Sequence, residues 1–273
     1  MSRKNVEDIY PLSPLQQGIL FHTLSAPASG VYFVQRSWVL EGDLDAGALA
    51  RAFQEVVDRH PILRTAFVWD RHGRPMQVVR EKATLPFAPI DLRGLRAEEQ
   101  AARVRAFAEA DRARGFELQR APLMRVTLLR LGDAAHRLVW STHHLLLDGW
   151  STPLVTAEVW RLYEAFVEGR ALALPRPRPY GDYIGWVQKQ DRARAEAFFR
   201  EELRGLHAPT PLGVDRPRSG PAQTGERRAE LSEDESAEVV VFARQHRLTP
   251  STVLLGAWAL LLARYAGEDD VLF

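Results

Sequence analysis

Apolar and polar positions alternate or recur at helical spacing along most of the chain, and the two periods alternate with each other. Ser13-Pro14 reads as a helix cap followed by proline at the first helical position, with Gln16, Ile19, Leu20 and Leu24 along the helix after it. Tyr32 to Leu40 has the period of a strand. Asp43 or Asp45 then caps a helix whose apolar face is Leu49, Phe53, Val56 and Val57. Strands are predicted at Leu63 to Trp69 and at Met76 to Val79, split by the turn Asp70-Arg71-His72-Gly73-Arg74. A polar, alanine-rich helix spans Ala97 to Asp111. Leu123 to Leu131 and Arg137 to Thr142 form a hairpin around Gly132-Asp133, and a long helix with Val155, Val159, Leu162 and Phe166 on one face runs to Gly169.

The composition changes at Leu174-Pro175-Arg176-Pro177-Arg178-Pro179, a stiff, extended connector. It divides the chain into lobes 1–174 and 175–273. Beyond it the pattern predicts helices at Tyr180 to Gln188, Arg192 to Leu203, Glu233 to Gln245 and Ser251 to Arg264. A Pro/Gly-rich loop runs from Pro209 to Gly225, and a short strand covers Arg228 to Leu231. Asp270-Val271-Leu272-Phe273 reads as the opening of a strand, so the expectation is a second lobe that continues past it. Strands and helices in this order predict a layered α/β fold.

Composition removes several classes of function. The 273 residues are 46% hydrophobic and 26% charged, as in an ordinary globular protein. The net charge of +1 is scattered rather than clustered, which argues against nucleic acid or an anionic membrane as partner. There is no cysteine, so disulfides, thiol nucleophiles and thiolate metal sites are excluded, and a cytoplasmic location is expected. The N-terminus lacks the apolar core of a signal peptide, and the helix around Val253 to Tyr265 is too short and broken to span a bilayer.

Candidate chemistry gathers where the strand ending at Thr142 feeds the long helix, in His143-His144-Leu145-Leu146-Leu147-Asp148-Gly149-Trp150-Ser151. Four readings compete. One is a polar turn with a satisfied histidine. A metal site is disfavoured, because adjacent strand histidines point to opposite faces and no helical HExxH exists. A Ser-His-Asp hydrolase using Ser151 or Ser141 lacks the G-x-S-x-G elbow. The fourth is a histidine general base acting on an external nucleophile, with Asp148 fixing local structure. Alternation lets one histidine face a cleft while the other is buried or braces the loop; the pattern leaves open which.

The segment His143 to Gly149 resembles the HHxxxDG motif of the condensation domains of nonribosomal peptide synthetases, within the chloramphenicol-acetyltransferase-like acyltransferases. Three further segments support the resemblance in the expected order. Arg59-His60-Pro61-Ile62-Leu63-Arg64-Thr65-Ala66-Phe67 is similar to RHxxLRTxF, Tyr180-Gly181-Asp182-Tyr183-Ile184-Gly185-Trp186 to YxDYxxW, and Ser13-Pro14-Leu15-Gln16 to the opening SxxQ. Leu15 and Gly18 depart from the commoner SxAQxR form and look more like the subgroup that accepts a donor ending in a D-residue. The later motifs of the family are missing, which implies a complete N-terminal lobe and the beginning of a similar C-terminal one.

The resemblance implies amide formation: the amine of a carrier-bound aminoacyl acceptor attacks a carrier-bound acyl or peptidyl thioester. His144 would act as base or as the group that orients the amine, beside His143. The resemblance implies that Asp148 is structural and pairs with an arginine, for which Arg64 is the candidate; Asp148→Ala would then strand a buried cation and harm folding as much as catalysis. Gly149 would let the backbone turn tightly and offer its N–H to the reacting carbonyl. Trp150 and Ser151 are candidates to line the substrate tunnel, while Arg59, His60, Tyr180, Tyr183 and Trp186 read as cap and packing residues. The domain itself would bind no cofactor or metal; phosphopantetheine arms would come from donor and acceptor peptidyl carrier proteins, with an adenylation domain as neighbour. With Met1 close to the first motif, the donor is expected from a separate protein. Rival readings are an epimerisation domain, a free-standing acyltransferase using acyl-CoA, and a non-catalytic carrier-docking module. Loss of amide formation on His144→Ala with carrier binding kept separates the enzyme from the docking module.

Overall fold

The computed structural model describes residues 5–69, 74–206, 208, 210–212 and 228–273. They divide into two compact units, Met1–Gln190 and Asp191–Phe273. The division falls sixteen residues past the expected one (190 against 174), because the helix after the connector stays with the first unit.

The first unit is built on a sheet of β2 (Phe33–Glu41), β7 (Ala135–His143), β6 (Met124–Arg130) and β5 (Phe87–Asp91), in that order. β7 lies antiparallel between β2 and β6, and β5 is parallel to β6. Parallel strands need a crossover, and α3 (Ala97–Arg114) supplies it. Alternation sends Leu138 and Trp140 of β7 to one face, where α2 (Ala46–Arg59) and α4 (Ser151–Val167) bring Leu49, Phe53, Val56, Val155 and Val159 against them. Trp140, with no exposure, lies stacked at 6.2 Å from Trp38 and edge-on at 5.7 Å from Phe53. Val139 and Leu129 turn to the opposite face, where Val104 and Phe107 of α3 cover them. The result is a three-layer α/β arrangement.

A smaller antiparallel sheet, β1 (Asp8–Pro11), β4 (Met76–Val79) and β3 (Thr65–Val68), carries α1 (Pro14–Ser25) after its first strand. Ser13 caps α1 and Gln16 completes a capping box; Asp45, rather than Asp43, caps α2. The strand expected from Leu63 begins at Thr65, because Pro61 opens a short 3-10 turn through Arg64 and its carbonyl accepts the Thr65 hydroxyl at 2.9 Å. Most of the turn expected between β3 and β4 lies outside the described residues. α5 (Tyr180–Gln188) packs on β1: a side chain at Gly181 would meet the Tyr10 ring at 3.3 Å.

The second unit holds α6 (Arg192–Glu202), α7 (Glu233–Gln245) and α8 (Pro250–Ala266). The strand expected at Arg228 to Leu231 is absent from the described residues, as is the one expected at the chain end. A strand needs a neighbour for its ladder bonds. Here the Leu272 N–H donates instead to the Thr210 hydroxyl, at 2.8 Å. Most of the Pro209 to Gly225 loop lies outside the described residues.

Candidate functional site

Backbone bonds fix the histidine pair at the end of β7. The His143 N–H donates to Leu123 O at 3.0 Å, and the His144 N–H to Tyr32 O at 2.9 Å, so the residues leading into both neighbouring strands hold the chain before it turns. The turn closes when Leu146 N donates to His143 O at 3.0 Å. His143 continues the strand alternation onto the α3 face and is buried, with 4% of its surface exposed. Its Nδ1 accepts the Leu145 N–H at 3.2 Å, and Phe116 meets its ring edge-to-face at 6.5 Å. Burial, with a smaller contribution from His144, pulls the His143 pKa down to about 4, so the ring is neutral at pH 7.

His144 lies past the strand end and is half-buried. Its Nδ1 stands 2.6 Å from Leu147 O. A carbonyl only accepts, so Nδ1 carries a proton, and in the neutral ring Nε2 keeps its lone pair. The Tyr32 ring, 6.3 Å away, packs beside it. In its neutral form this ring has a free nitrogen that can accept a proton or a hydrogen bond from an amine.

Asp148 opens α4. Its carboxylate accepts from Trp150 N (3.1 Å), Ser151 N (2.7 Å) and the Ser151 hydroxyl (2.5 Å), and its carbonyl accepts from Thr152 N at 3.2 Å. These are cap-like bonds made just ahead of α4, whose N-cap residue is Trp150. Hydrogen bonds from Ser151, side chain then backbone, hold its pKa below the ordinary carboxylate range. The expected Asp148–Arg64 pair is not formed. Arg64 is buried beside Glu7, which takes its charge, and it donates to Arg80 O and to Asp58 O (3.3 Å). Arg64 sits in the 3-10 turn before β3, where Glu7 just ahead of β1 is within reach, while Asp148 is engaged by α4. Asp148→Ala therefore strands no cation: the expected cost is that of a lost cap, about 0.5–2 kcal/mol. Thermal melts at several pH values check this. The Asp148 contribution is present above the unfolded carboxylate pKa and disappears as pH falls through its lower folded value.

The opening motif reaches this loop through Gln16. Its Nε2 donates to Leu145 O at 3.1 Å, its Oε1 accepts from Ser13 N at 3.0 Å and from Gln77 Nε2 at 3.1 Å, and Gln77 in turn reaches Pro11 O at 3.0 Å. Both glutamines are buried, so every amide group they present must be bonded. The only signal of Gln77 in the sequence is a polar residue inside the short apolar strand Met76–Val79. Burial, chiefly, raises the Tyr180 phenol pKa; a bond to Ser13 opposes this, and Tyr183 and then Asp148 add to it. Of Arg59 and His60, read as cap and packing, Arg59 ion-pairs with Glu158 of α4 at 3.3 Å and donates to Pro175 O at 2.8 Å, and His60 Nε2 hydrogen-bonds to the same carboxylate at 2.8 Å.

Among the described residues neither candidate hydrolase serine bonds to a histidine. Ser151 donates to Asp148, and Ser141 to Asp111 at 2.5 Å. Gly149 has φ outside the left-handed region, and a Cβ there would meet nothing within 4 Å. The turn thus does not demand glycine, contrary to the sequence expectation; the residue leaves open space beside the loop. Trp150 is 88% exposed and Ser151 half-buried. Among the described residues no cluster of three or more His, Asp or Glu could hold a metal, and no helix is long and apolar enough to cross a membrane.

The layered sheet, the HHxxxDG loop and the helix after it make the arrangement of the chloramphenicol-acetyltransferase-like fold. The family model for the condensation domain matches residues 6–273. The chain belongs to the condensation domains of nonribosomal peptide synthetases. It is 45% identical to one of the linear gramicidin synthase subunits of Brevibacillus parabrevis and 36% identical to bacitracin synthase 1 of Bacillus licheniformis, covering 99% and 98% of this chain but 4% and 5% of theirs. Its fold is similar to the first condensation domain of the calcium-dependent antibiotic synthetase, with TM-score 0.78 at 22% identity over 97% of this chain and 63% of that one. A starter condensation domain of rhizomide synthetase, in complex with C8-CoA and Leu-SNAC, gives TM-score 0.80 at 23% identity over 96% and 59%. The chain therefore spans about 60% of these solved domains.

Proposed function

We propose that the chain catalyses amide bond formation in nonribosomal peptide synthesis, with His144 Nε2 receiving or orienting the attacking amine. The observation that carries this reading is the 2.6 Å bond from His144 Nδ1 to Leu147 O, which leaves Nε2 as the free acceptor. A thioester is already activated, and an α-amine with a pKa of about 7.7–8.0 needs little help to lose its proton. Correct alignment of two tethered substrates supplies much of the remaining rate. His143, neutral and buried, braces the turn that aims His144. Asp148 and Ser151 set the start of α4, and the exposed Trp150 lines the substrate path. The substrates arrive on the phosphopantetheine arms of donor and acceptor carrier proteins, loaded with the help of an adenylation domain. A cysteine-free chain suits the cytoplasm, where we place the reaction.

The test combines the protein with a donor acyl carrier and an acceptor aminoacyl carrier. The reading expects the amide product on the acceptor carrier. Release of free acid alone, or inversion of the donor centre without an amide, contradicts it. Gly149 offers a finer check. A methyl there meets no protein atom, so Gly149→Ala melts normally but intrudes on the substrate and slows condensation on the order of 10²-fold. A large drop in melting temperature with unchanged specific activity would be the opposite result.

A further inference from the structure

Behind the histidine loop lies a cavity of about 610 Å³, within the first unit and on the α3 side of β7. Tyr32, Phe33, Trp69, Phe116 and Leu118 supply its walls, the end of α1 and the last turn of α3 frame its mouth, and His143 lies at its inner end. That volume is typical of small-molecule pockets, which pair apolar walls with a few placed polar groups.

The polar group here is His143. Its Nδ1 is occupied by the Leu145 N–H, so in the neutral ring Nε2 carries the proton. Among the described residues Nε2–H has no acceptor, yet it is not one of the sealed, unsatisfied atoms, which are Tyr10 OH, Arg36 Nη1, His136 Nδ1 and Trp140 Nε1. A buried side chain with a donor that is neither bonded nor sealed faces open space, and the space it lines is this cavity. The charged rim is already engaged in part: the Arg112 guanidinium lies over the Phe33 ring at 5.4 Å and reaches Phe33 O at 3.4 Å, with Glu109 beside it. An ion driven to the apolar inner end would lose its hydration without a counter-charge.

We propose that this cavity binds an uncharged apolar group carrying one hydrogen-bond acceptor, held by His143 Nε2–H, and that the group is the side chain or acyl tail of the substrate. Tyr32 makes the connection. It lines the cavity and packs against the His144 ring, so it is the partition between the reacting centre and the pocket. The naming of the occupant rests on the condensation reading; the binding site does not.

Octanamide, an uncharged eight-carbon amide, is the probe. Titrated into the protein, it is expected to saturate, to quench Trp69 fluorescence and to shift the His143 Nε2 resonance while leaving that of His144 in place. Ala113→Trp puts an indole at the exposed mouth of the cavity, where it has room to fold, and should raise the Kd at least tenfold with an unchanged melting curve. Binding that persists in Ala113→Trp, or that shifts His144 instead of His143, overturns the site; so does the absence of saturation up to the solubility limit. In the carrier assay octanamide should compete with a donor or acceptor bearing a large apolar group. Binding without competition overturns the substrate assignment. Failure of amide formation altogether counts against the condensation reading, and octanamide binding is read independently of it.

Discussion

Arg125→Met is expected to lower the unfolding free energy by about 3–5 kcal/mol. Arg125 and Asp111 are both buried, at 8% and 7% exposure, and they join β6 to the end of α3. The guanidinium pairs with the Asp111 carboxylate, donates to Asp111 O and Gly115 O at 2.7 Å each, and lies 4.3 Å from the centre of the Phe116 ring. The carboxylate also receives Ser141 and Gln35. Methionine fills much of the volume but leaves a buried carboxylate without its cation, and desolvation of that charge is then uncompensated. Urea unfolding should show a lower midpoint with an unchanged slope. Pairing Arg125→Met with Asp111→Leu should recover much of the loss, because both charges then leave together. A shift below about 1 kcal/mol for the single variant, the range of an exposed ion pair, would refute this account of the α3 anchor.

His144→Ala is expected to cut the condensation rate by about 10²–10⁴-fold, the range general-base assistance supplies, while the protein still folds and still binds its carriers. The fold is spared because the ring is half-buried and makes a single bond among the described residues, to the loop carbonyl of Leu147. An unchanged rate would remove the histidine from the reaction. A rate lost together with carrier binding would point to a docking role instead.

Much of this arrangement is legible in the sequence where a segment carries its own period or cap. α5 and α7 fall at the expected residues, Asp45 caps α2, and β7 ends at His143, the first of the histidine pair. Two strands escape because proline disguises them. Pro89 lies inside β5 and Pro11 ends β1, and both strands sit at sheet edges, where a missing N–H is tolerated. The partner of Arg64 escapes for a different reason. Glu7 and Asp148 are equally plausible carboxylates in a sequence, and only the pairing of β1 with β4 brings Glu7 alongside, with its N–H on Val79 O at 2.9 Å. The Gln16–Gln77 bridge is a contact across 61 positions and has no local signature. The orientation of the two histidines follows from alternation once the face covered by α3 is known: His143 takes that face, beside Phe116, and His144 leaves the strand.

The proposed chemistry rests on the protonation pattern of His144, which two-bond proton–nitrogen NMR on ring-labelled protein reads directly. A protonated Nδ1 and a bare Nε2 are predicted at His144, with the opposite tautomer at His143. A His144 ring protonated at Nε2, with Nδ1 free, would contradict the mechanism, because the nitrogen offered to the amine would then have no lone pair to give.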